Sequence, residues 1–312
     1  MNVFALAEEK NKRARKLVES VVQTIPRWHF PMLNDDERNE AFKRSIQKLD
    51  LAEKNVLDIG TGTGLLSMIA AKSGAKHVYS VEGNPHIARK AREIISHNKL
   101  SHKITVINAM SYDLIPGVDL PENIDVLISE TIDCGFVGEH FLASLKHAKD
   151  NLLSKDAILL PRSCRLVGCL LSSDKIRKLN QVNYASDFDV SHFNDFSTMG
   201  YFPVRLNTWQ HEIVSQQVHF YHKQFDATDE YTDSGSIDFV VTKDCVVDGV
   251  VFWFECELVQ GETPLVNSPG NGNSHWMQAV HIFDKPKRFS SRETCQLDYI
   301  VSESTVDFSE PN

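Results

Sequence analysis

Two glutamates frame the stretch Ser129-Glu130-Thr131-Ile132-Asp133-Cys134-Gly135-Phe136-Val137-Gly138-Glu139. It begins where the apolar run Asp125-Val126-Leu127-Ile128 ends, and that run reads as a buried strand. Two carboxylates at a strand's C-terminal end form a clamp for a cation. The cation whose chemistry asks for two carboxylates is a guanidinium, a planar fork of donors. Its pKa lies above ~12, so it must be oriented and relieved of a proton around the time of any reaction at nitrogen. Glu130 and Glu139 are expected to pin its nitrogens, with Glu139 as the candidate proton acceptor.

A second cluster lies upstream. Leu57-Asp58-Ile59-Gly60-Thr61-Gly62-Thr63-Gly64 follows a strand-like run and opens a helix. Glycines there let the backbone approach a ligand closely, and a helix N-terminus favours anionic groups. Glu82 ends the next strand, where an acid can bind both hydroxyls of a ribose. Read alone, GxGxG leaves a nicotinamide enzyme or a ligand-free turn open. GxGxG rather than GxGxxG, Asp58 two residues before the first glycine and Glu82 22 residues after it resemble the class I S-adenosylmethionine methyltransferases.

The elements that must carry these residues alternate in the first half. Segments 55–60, 77–83, 104–109 and 125–130 are short Val- and Ile-rich runs. Segment 65–73 reads as a helix stopped by Gly74. Segment 85–98 reads as a helix with Asn84 as N-cap and Pro85 in its first turn. A further amphipathic helix is expected over 141–153. This spacing implies a parallel, doubly wound sheet. After Pro161 the pattern becomes β-type: 165–171, 214–225, 236–242, 246–259, 279–283 and 294–302, with Asp248-Gly249 as a hairpin turn. That half is expected to be an antiparallel barrel or sandwich, interrupted over 175–196 by a polar, aromatic-spotted helical arm.

Bulk properties narrow the classes. At 312 residues the length suggests about two domains. With 42% apolar and 24% charged residues the composition is ordinary globular. The net charge of −9 makes nucleic acid an unsuitable principal partner and a basic protein or peptide a natural one. Apolar runs fall short of the ~18–20 residues that span a bilayer. The stretch from Met1 to Lys10 lacks the basic start and apolar length of a signal peptide. Six cysteines without CxxC spacing read as reduced thiols of a cytoplasmic or nuclear protein. The 13 histidines form no ligand cluster, so no metal site is expected.

Three separated motifs together carry a family resemblance. Ser129-Glu130…Glu139 resembles the double-E loop of the protein arginine methyltransferases. Asn273-Ser274-His275-Trp276-Met277-Gln278 resembles their THW loop, with Ser274 in place of Thr. The segment from Trp28 through Pro31-Met32-Leu33-Asn34-Asp35 to Arg38-Asn39 resembles the helix that covers the cofactor. The wording is nearest to the 9-type members, whose repeats and second module this chain has no room for; the match runs from about Trp28 to about Val301.

The resemblance implies three parts: an N-terminal helical segment over 1–50, a Rossmann-like cofactor domain over 51–160, and an antiparallel β-barrel substrate domain over 161–312 with a dimerisation arm at about 175–200. It implies S-adenosyl-L-methionine as cofactor, a basic arginine-containing protein or peptide as substrate, and a homodimer. Glu130 and Glu139 would grip the substrate beside Trp276. Asp35 and His275 would lock the N-terminal helix onto the barrel and carry a proton away. Met32, Arg38, Asp58, Gly60, Thr61, Gly62, Gly64, Glu82, Met110, Ser111 and Glu130 would hold the cofactor, with Arg38 on its carboxylate and Met110-Ser111 at the adenine. The usual paired aromatic motif is missing, so Trp28 and Phe30 are expected to do its packing. Product type would be shaped by Trp28, Phe30, Met32 and Ile132, and the 9-type wording leans toward symmetric dimethylarginine. Two other readings stay open: methyl transfer to a small guanidino compound, and a cofactor-binding module without turnover.

Overall fold

The computed structural model describes residues 25–228, 230–271 and 274–311. The Met1 to Lys10 stretch and Asn273 of the THW-like loop lie outside the described residues.

The chain enters through α1 (His29–Leu33) and α2 (Asp36–Lys48). Arg38, Ala41, Phe42, Ser45 and Ile46 are buried at helical spacing, so α2 turns one stripe inward. Then follow β1 (Asn55–Ile59), α3 (Leu65–Lys72), β2 (His77–Val81), α4 (Pro85–His97), β3 (Ile104–Ile107), β4 (Ile124–Ser129), α5 (Phe141–Asn151) and β5 (Leu153–Leu160). The five strands form one parallel sheet in the order β3-β2-β1-β4-β5. The order reverses at β1 and β4, and the crevice beyond their carboxyl ends is where such sheets bind ligands. Both the glycine loop and Glu130 leave the sheet there. Asn84 caps α4 by accepting from the backbone of His86 at 2.9 Å, with Pro85 in the first turn.

The second half is antiparallel. β6 (Ser163–Ser172), β13 (Cys245–Glu257) and β15 (Gln278–Phe289) are the long strands of one sheet, edged by β9 (Phe202–Val204) and β10 (Glu212–Ile213). β11 (Val218–Gln224) also pairs with β6, and β14 (Leu265–Val266) with β13. A second sheet holds β12 (Asp233–Val240), β16 (Thr294–Val301) and β17 (Val306–Phe308). The two sheets curl around a common apolar interior. Phe220 of β11 packs edge-on against Phe252 of β13, Tyr299 of β16 and Phe308 of β17, with centroids 5.3–5.9 Å apart.

One interior continues from the parallel sheet into the barrel. At its centre Phe136, from the loop between the glutamates, meets Phe141 of α5 at 5.1 Å and Phe254 of β13 at 5.7 Å. It also stacks on Phe225 at 6.0 Å. Phe136 is fully buried in the left-handed backbone region, at φ 76°. The aromatic contacts hold a backbone that a non-glycine residue seldom adopts.

Two expectations are corrected, and one strand goes beyond them. Asp248-Gly249 is no hairpin turn: both lie inside β13, at a register shift against β15. The Asp248 carboxylate is buried and accepts from the backbone of Ser173 at 2.8 Å, so tertiary pairing overrides the dipeptide's turn preference. The segment read as a helical arm is instead a single turn α6 (Asp174–Arg177), a small hairpin of β7 (Tyr184–Ala185) and β8 (Phe188–Asp189), and a 3₁₀ stretch, Ser191–Phe196. Its Asn, Asp and Ser residues bond to local backbone: Asn194 Oδ1 accepts from Val182 N–H and its Nδ2 donates to Val182 O, both at 2.8 Å, competing with helix. Strand β5 was not expected at all. No helix of the described residues is long and apolar enough to cross a membrane.

Candidate active site

The glycine loop turns sharply because Gly60 takes φ +80° and lies so close to Thr131 that a Cβ would come within 2.4 Å of its methyl group. Gly60 and Thr61 both donate to Val81 O at 3.0 Å, tying the loop to the end of β2. Glu82 receives the Gly62 amide at 3.0 Å on one oxygen and the Asn84 amide at 2.8 Å on the other. Gly60, Glu82, Met110 and Ser111 line a cleft of about 720 Å³, together with Asn84, Tyr112, Thr131, Glu139 and His147. Asp58, Thr61, Gly62 and Gly64 do not line it. Asp58 is wholly buried beneath it, accepting from Ser67 Oγ at 2.5 Å; burial pushes its carboxyl up to about 6. Thr61 Oγ1 pairs with Ser80 Oγ at 2.7 Å. These groups shape the loop from behind.

A smaller cavity of about 190 Å³ adjoins. Trp28, Met32, Glu130, Ile132, Asp133, Cys134, Glu139, Pro203, His275, Trp276 and Met277 line it. Both glutamates face this cavity, and Glu139 lines the larger cleft as well. Glu130 is paired with Arg38 of α2 at 2.5 Å, side chains 7% and 4% exposed. Glu139 remains open to the cavities. Desolvation, then the charges of Glu130 and Asp133, push its carboxyl up to about 7. Glu130 is thus countered by an arginine, while among the described residues no ion pair is made by Glu139.

Asp35 is the N-cap of α2, accepting from the Arg38 amide at 2.9 Å. Its other oxygen accepts from the His275 amide and pairs with His275 Nδ1, both at 2.8 Å. Burial acts to raise the Asp35 carboxyl, but bonds from the His275 ring and from the Arg38 and His275 amides outweigh it and hold it below its ordinary value. Trp276 Nε1 donates to Ile132 O at 2.8 Å, so the Ser274-His275-Trp276 loop is bonded to both α2 and the glutamate loop. Of the expected packing aromatics, Trp28 lines the small cavity, whereas Phe30 is 69% exposed and lines neither. Phe30 stands on the outer side of a five-residue helix whose buried residue is Met32.

Residues 43–132 match the family model of ribosomal protein L11 methyltransferase (PrmA). An arginine N(omega)-methyltransferase of Streptomyces achromogenes subsp. streptozoticus is 43% identical over 286 residues, which span 91% of this chain and 78% of that protein. The chain belongs to the arginine N-methyltransferase family. Human protein arginine N-methyltransferase 9 is 28% identical over 292 residues, covering 82% of this chain. The chain spans only 34% of that relative's length. Two solved structures share the fold: the Trypanosoma brucei PRMT1 enzyme-prozyme heterotetrameric complex with AdoHcy (TM-score 0.74, 24% identity, 87% of this chain and 86% of that one) and Arabidopsis thaliana protein arginine methyltransferase 10 (TM-score 0.68, 20% identity, 90% and 95%).

S-adenosylmethionine is the methyl donor of this arginine methyltransferase, and the residues present fit it. Glu82 stands at the cleft with its carboxylate fixed by two amides. Arg38 Nε is buried without a partner, a donor left over for a carboxylate. Gly60 presents only backbone to the same cleft.

Sequence reasoning missed three residues of this arginine methyltransferase. Asn267, fully buried, donates to Cys134 O at 2.9 Å and Met277 O at 2.7 Å, and accepts from the Phe254 amide at 2.8 Å. It thereby joins both loops to β13. Asp133 accepts from the amides of Gly135 and Gly138 and from the Tyr201 hydroxyl. An acid among Ile132, Cys134 and Phe136, followed by two glycines, was the available signal for Asp133; Tyr201 and Asn267 had none. Among the described residues no group of three or more His, Cys, Asp or Glu is placed to hold a metal.

Proposed function

We propose that this arginine N-methyltransferase acts on arginine side chains of basic protein or peptide segments. The observation that carries the reading is the pair of carboxylates facing one narrow cavity, one of which also borders the cofactor cleft. When bound, S-adenosylmethionine supplies an electrophilic methyl sulfonium, so the chain's own task is to position the guanidinium and manage its charge. Glu130, oriented by Arg38, grips one face of the guanidinium fork. Glu139, which faces the same cavity, takes the second hydrogen bond and receives the proton as the nitrogen is alkylated. His275, held by Asp35 at the cavity wall, offers an outward proton path.

Among the described residues that line the small cavity there is no Lys or Arg, so these offer no cation to an α-carboxylate close to the guanidinium. That supports an arginine within a polypeptide, as does the net charge of −9. A second reading is free arginine, favoured by the 43% identical relative, an arginine N(omega)-methyltransferase whose name does not mention protein. Pairing of two copies is supported by Tyr184, Phe188, Phe193, Phe196 and Met199, all more than two-thirds exposed on the segment between β6 and β9; light scattering across a dilution series checks it.

The test is methyl transfer from labelled S-adenosylmethionine to Arg-Gly-rich polypeptides and, separately, to free L-arginine, with acid hydrolysis and separation of the methylarginines. Label in polypeptide arginine is expected. Label only in free arginine selects the second reading, and no methylarginine from either overturns both.

A further inference from the structure

The turn that presents Glu139 is built around a carboxylate to which no function has yet been given. Asp133 lies partly buried between the two clamp glutamates. Its Oδ1 accepts the amides of Gly135 at 3.1 Å and Gly138 at 3.0 Å, and the Tyr201 hydroxyl reaches both of its oxygens, at 3.1 and 2.9 Å. Tyr201 comes from 68 residues away, at the entry to β9, and its ring packs edge-on against Phe252 of the barrel at 5.2 Å. The loop is shaped to admit this pair. A Cβ at Gly135 would fall 2.4 Å from the Tyr201 ring, and one at Gly138 would fall 2.3 Å from Asp133 Oδ2. No side chain larger than hydrogen fits at either position with Asp133 and Tyr201 in place.

We propose that Asp133 and Tyr201 are the positioning pair of the arginine clamp, fixing the turn that carries Glu139 and keeping a negative charge beside it. The inference deepens the arginine-transfer reading and rests on it for its kinetic arms. Asp133 binds three donors that belong to the last half of the loop and to the barrel, so the Glu139 backbone is anchored at Gly138, its immediate neighbour. Burial raises the Asp133 carboxyl as well, against the Gly138 and Gly135 amides and the Tyr201 hydroxyl that favour its ionised form; ionised, it acts on Glu139 in the same sense as Glu130, favouring the protonated carboxyl. The other titratable groups around Glu139 are Glu130, neutralised by Arg38 of α2, His275 on the barrel loop, and Glu82, His140 and His147 around the cofactor cleft. None of these is bonded to the turn itself in the way Asp133 is.

The experiment compares Asp133→Asn, Asp133→Ala and Tyr201→Phe with the parent enzyme. Asn keeps an acceptor for the Gly135 and Gly138 amides but removes the charge; Ala removes both. Asp133→Ala is expected to lower kcat by on the order of a hundredfold with a smaller change in KM, because misplacing a reacting group by about 1 Å costs that much. Asp133→Asn is expected to lose less, and to move the acid limb of the kcat/KM profile to lower pH. Tyr201→Phe should lower kcat without moving that limb. A carbon-13 titration of the glutamate carboxyls reads the same proposal without turnover: the Glu139 resonance should titrate at lower pH in Asp133→Asn. Parent-like kcat in Asp133→Ala, or an unmoved Glu139 titration in folded Asp133→Asn, overturns the positioning pair. Should the parent methylate no arginine substrate, the reading of the site falls, while the titration still decides the pair.

Discussion

Substrate binding should expel a proton from Glu139. Its carboxyl is held near 7 by desolvation and by the charges of Glu130 and Asp133, so at neutral pH roughly half the molecules carry that proton. A guanidinium placed against the carboxylate favours the ionised form and returns the group to its ordinary acidic range. The release on binding is then about 0.9 proton at pH 6, about 0.5 at pH 7 and about 0.1 at pH 8. Because Glu139 is open to the cavities, solvent screening makes these the largest values to expect. The sign of the pH effect follows: the raised carboxyl is neutral below its folded-state value, so affinity for the cation falls as pH drops. The fall approaches about tenfold per pH unit below about 7 and ends near the ordinary glutamate value. Isothermal calorimetry with an arginine-containing peptide, at each pH in one buffer of small and one of large ionisation enthalpy, reads the proton count directly. Equal heats in both buffers at pH 6 would refute the reasoning, and so would a release that persists undiminished in Glu139→Gln.

Other outcomes follow from the same geometry. Glu130→Gln should lower methyl transfer by on the order of 10²–10³ while S-adenosylmethionine still binds, measured by single-turnover assay and calorimetry; retained activity would remove Glu130 from the clamp. Asp35→Ala deletes a helix cap and leaves His275 without its partner, and should cost about 2–3 kcal/mol in denaturant unfolding. Asn267→Ala strips a buried amide from three backbone groups and should cost about 3 kcal/mol, with both site loops gaining hydrogen-exchange rates; unchanged exchange in the glutamate loop would show that Asn267 does not tie the two loops together.

What the chain disclosed in advance was its local grammar. Val- and Ile-rich runs separated by capped helices were enough to expect a parallel sheet, because buried parallel strands need continuous apolar runs. The glycine loop and Glu82 were visible because a phosphate- or nucleoside-type turn restricts residue types within a few positions. Strand β5 escaped because it opens with Leu153-Ser154-Lys155-Asp156, and half-exposed polar residues directly after a helix read as a loop. The arm escaped because its hairpin is held by side-chain bonds to backbone that leave no periodicity. Tyr201 and Asn267 lay beyond any local reading: their partners stand 68 and 133 residues away, and only the folded barrel brings them to the glutamate loop. Phe30 was misassigned because an aromatic beside a buried methionine says nothing of which face of a short helix it occupies.

Arg38 is itself a guanidinium, and it rests on Glu130. The site therefore holds, from its own helix, an occupant of the chemical kind that it is proposed to recognise. An incoming arginine that meets this arrangement finds half of its clamp already neutralised. A ligand offering Arg38 a carboxylate of its own divides that attraction and makes Glu130 available, and the methionine end of the donor is such a ligand. Encounter then has a preferred sequence, donor before acceptor. Initial-rate kinetics should display it: S-adenosylhomocysteine competitive against S-adenosylmethionine yet not against the arginine substrate, and arginine binding weak until the donor is in place.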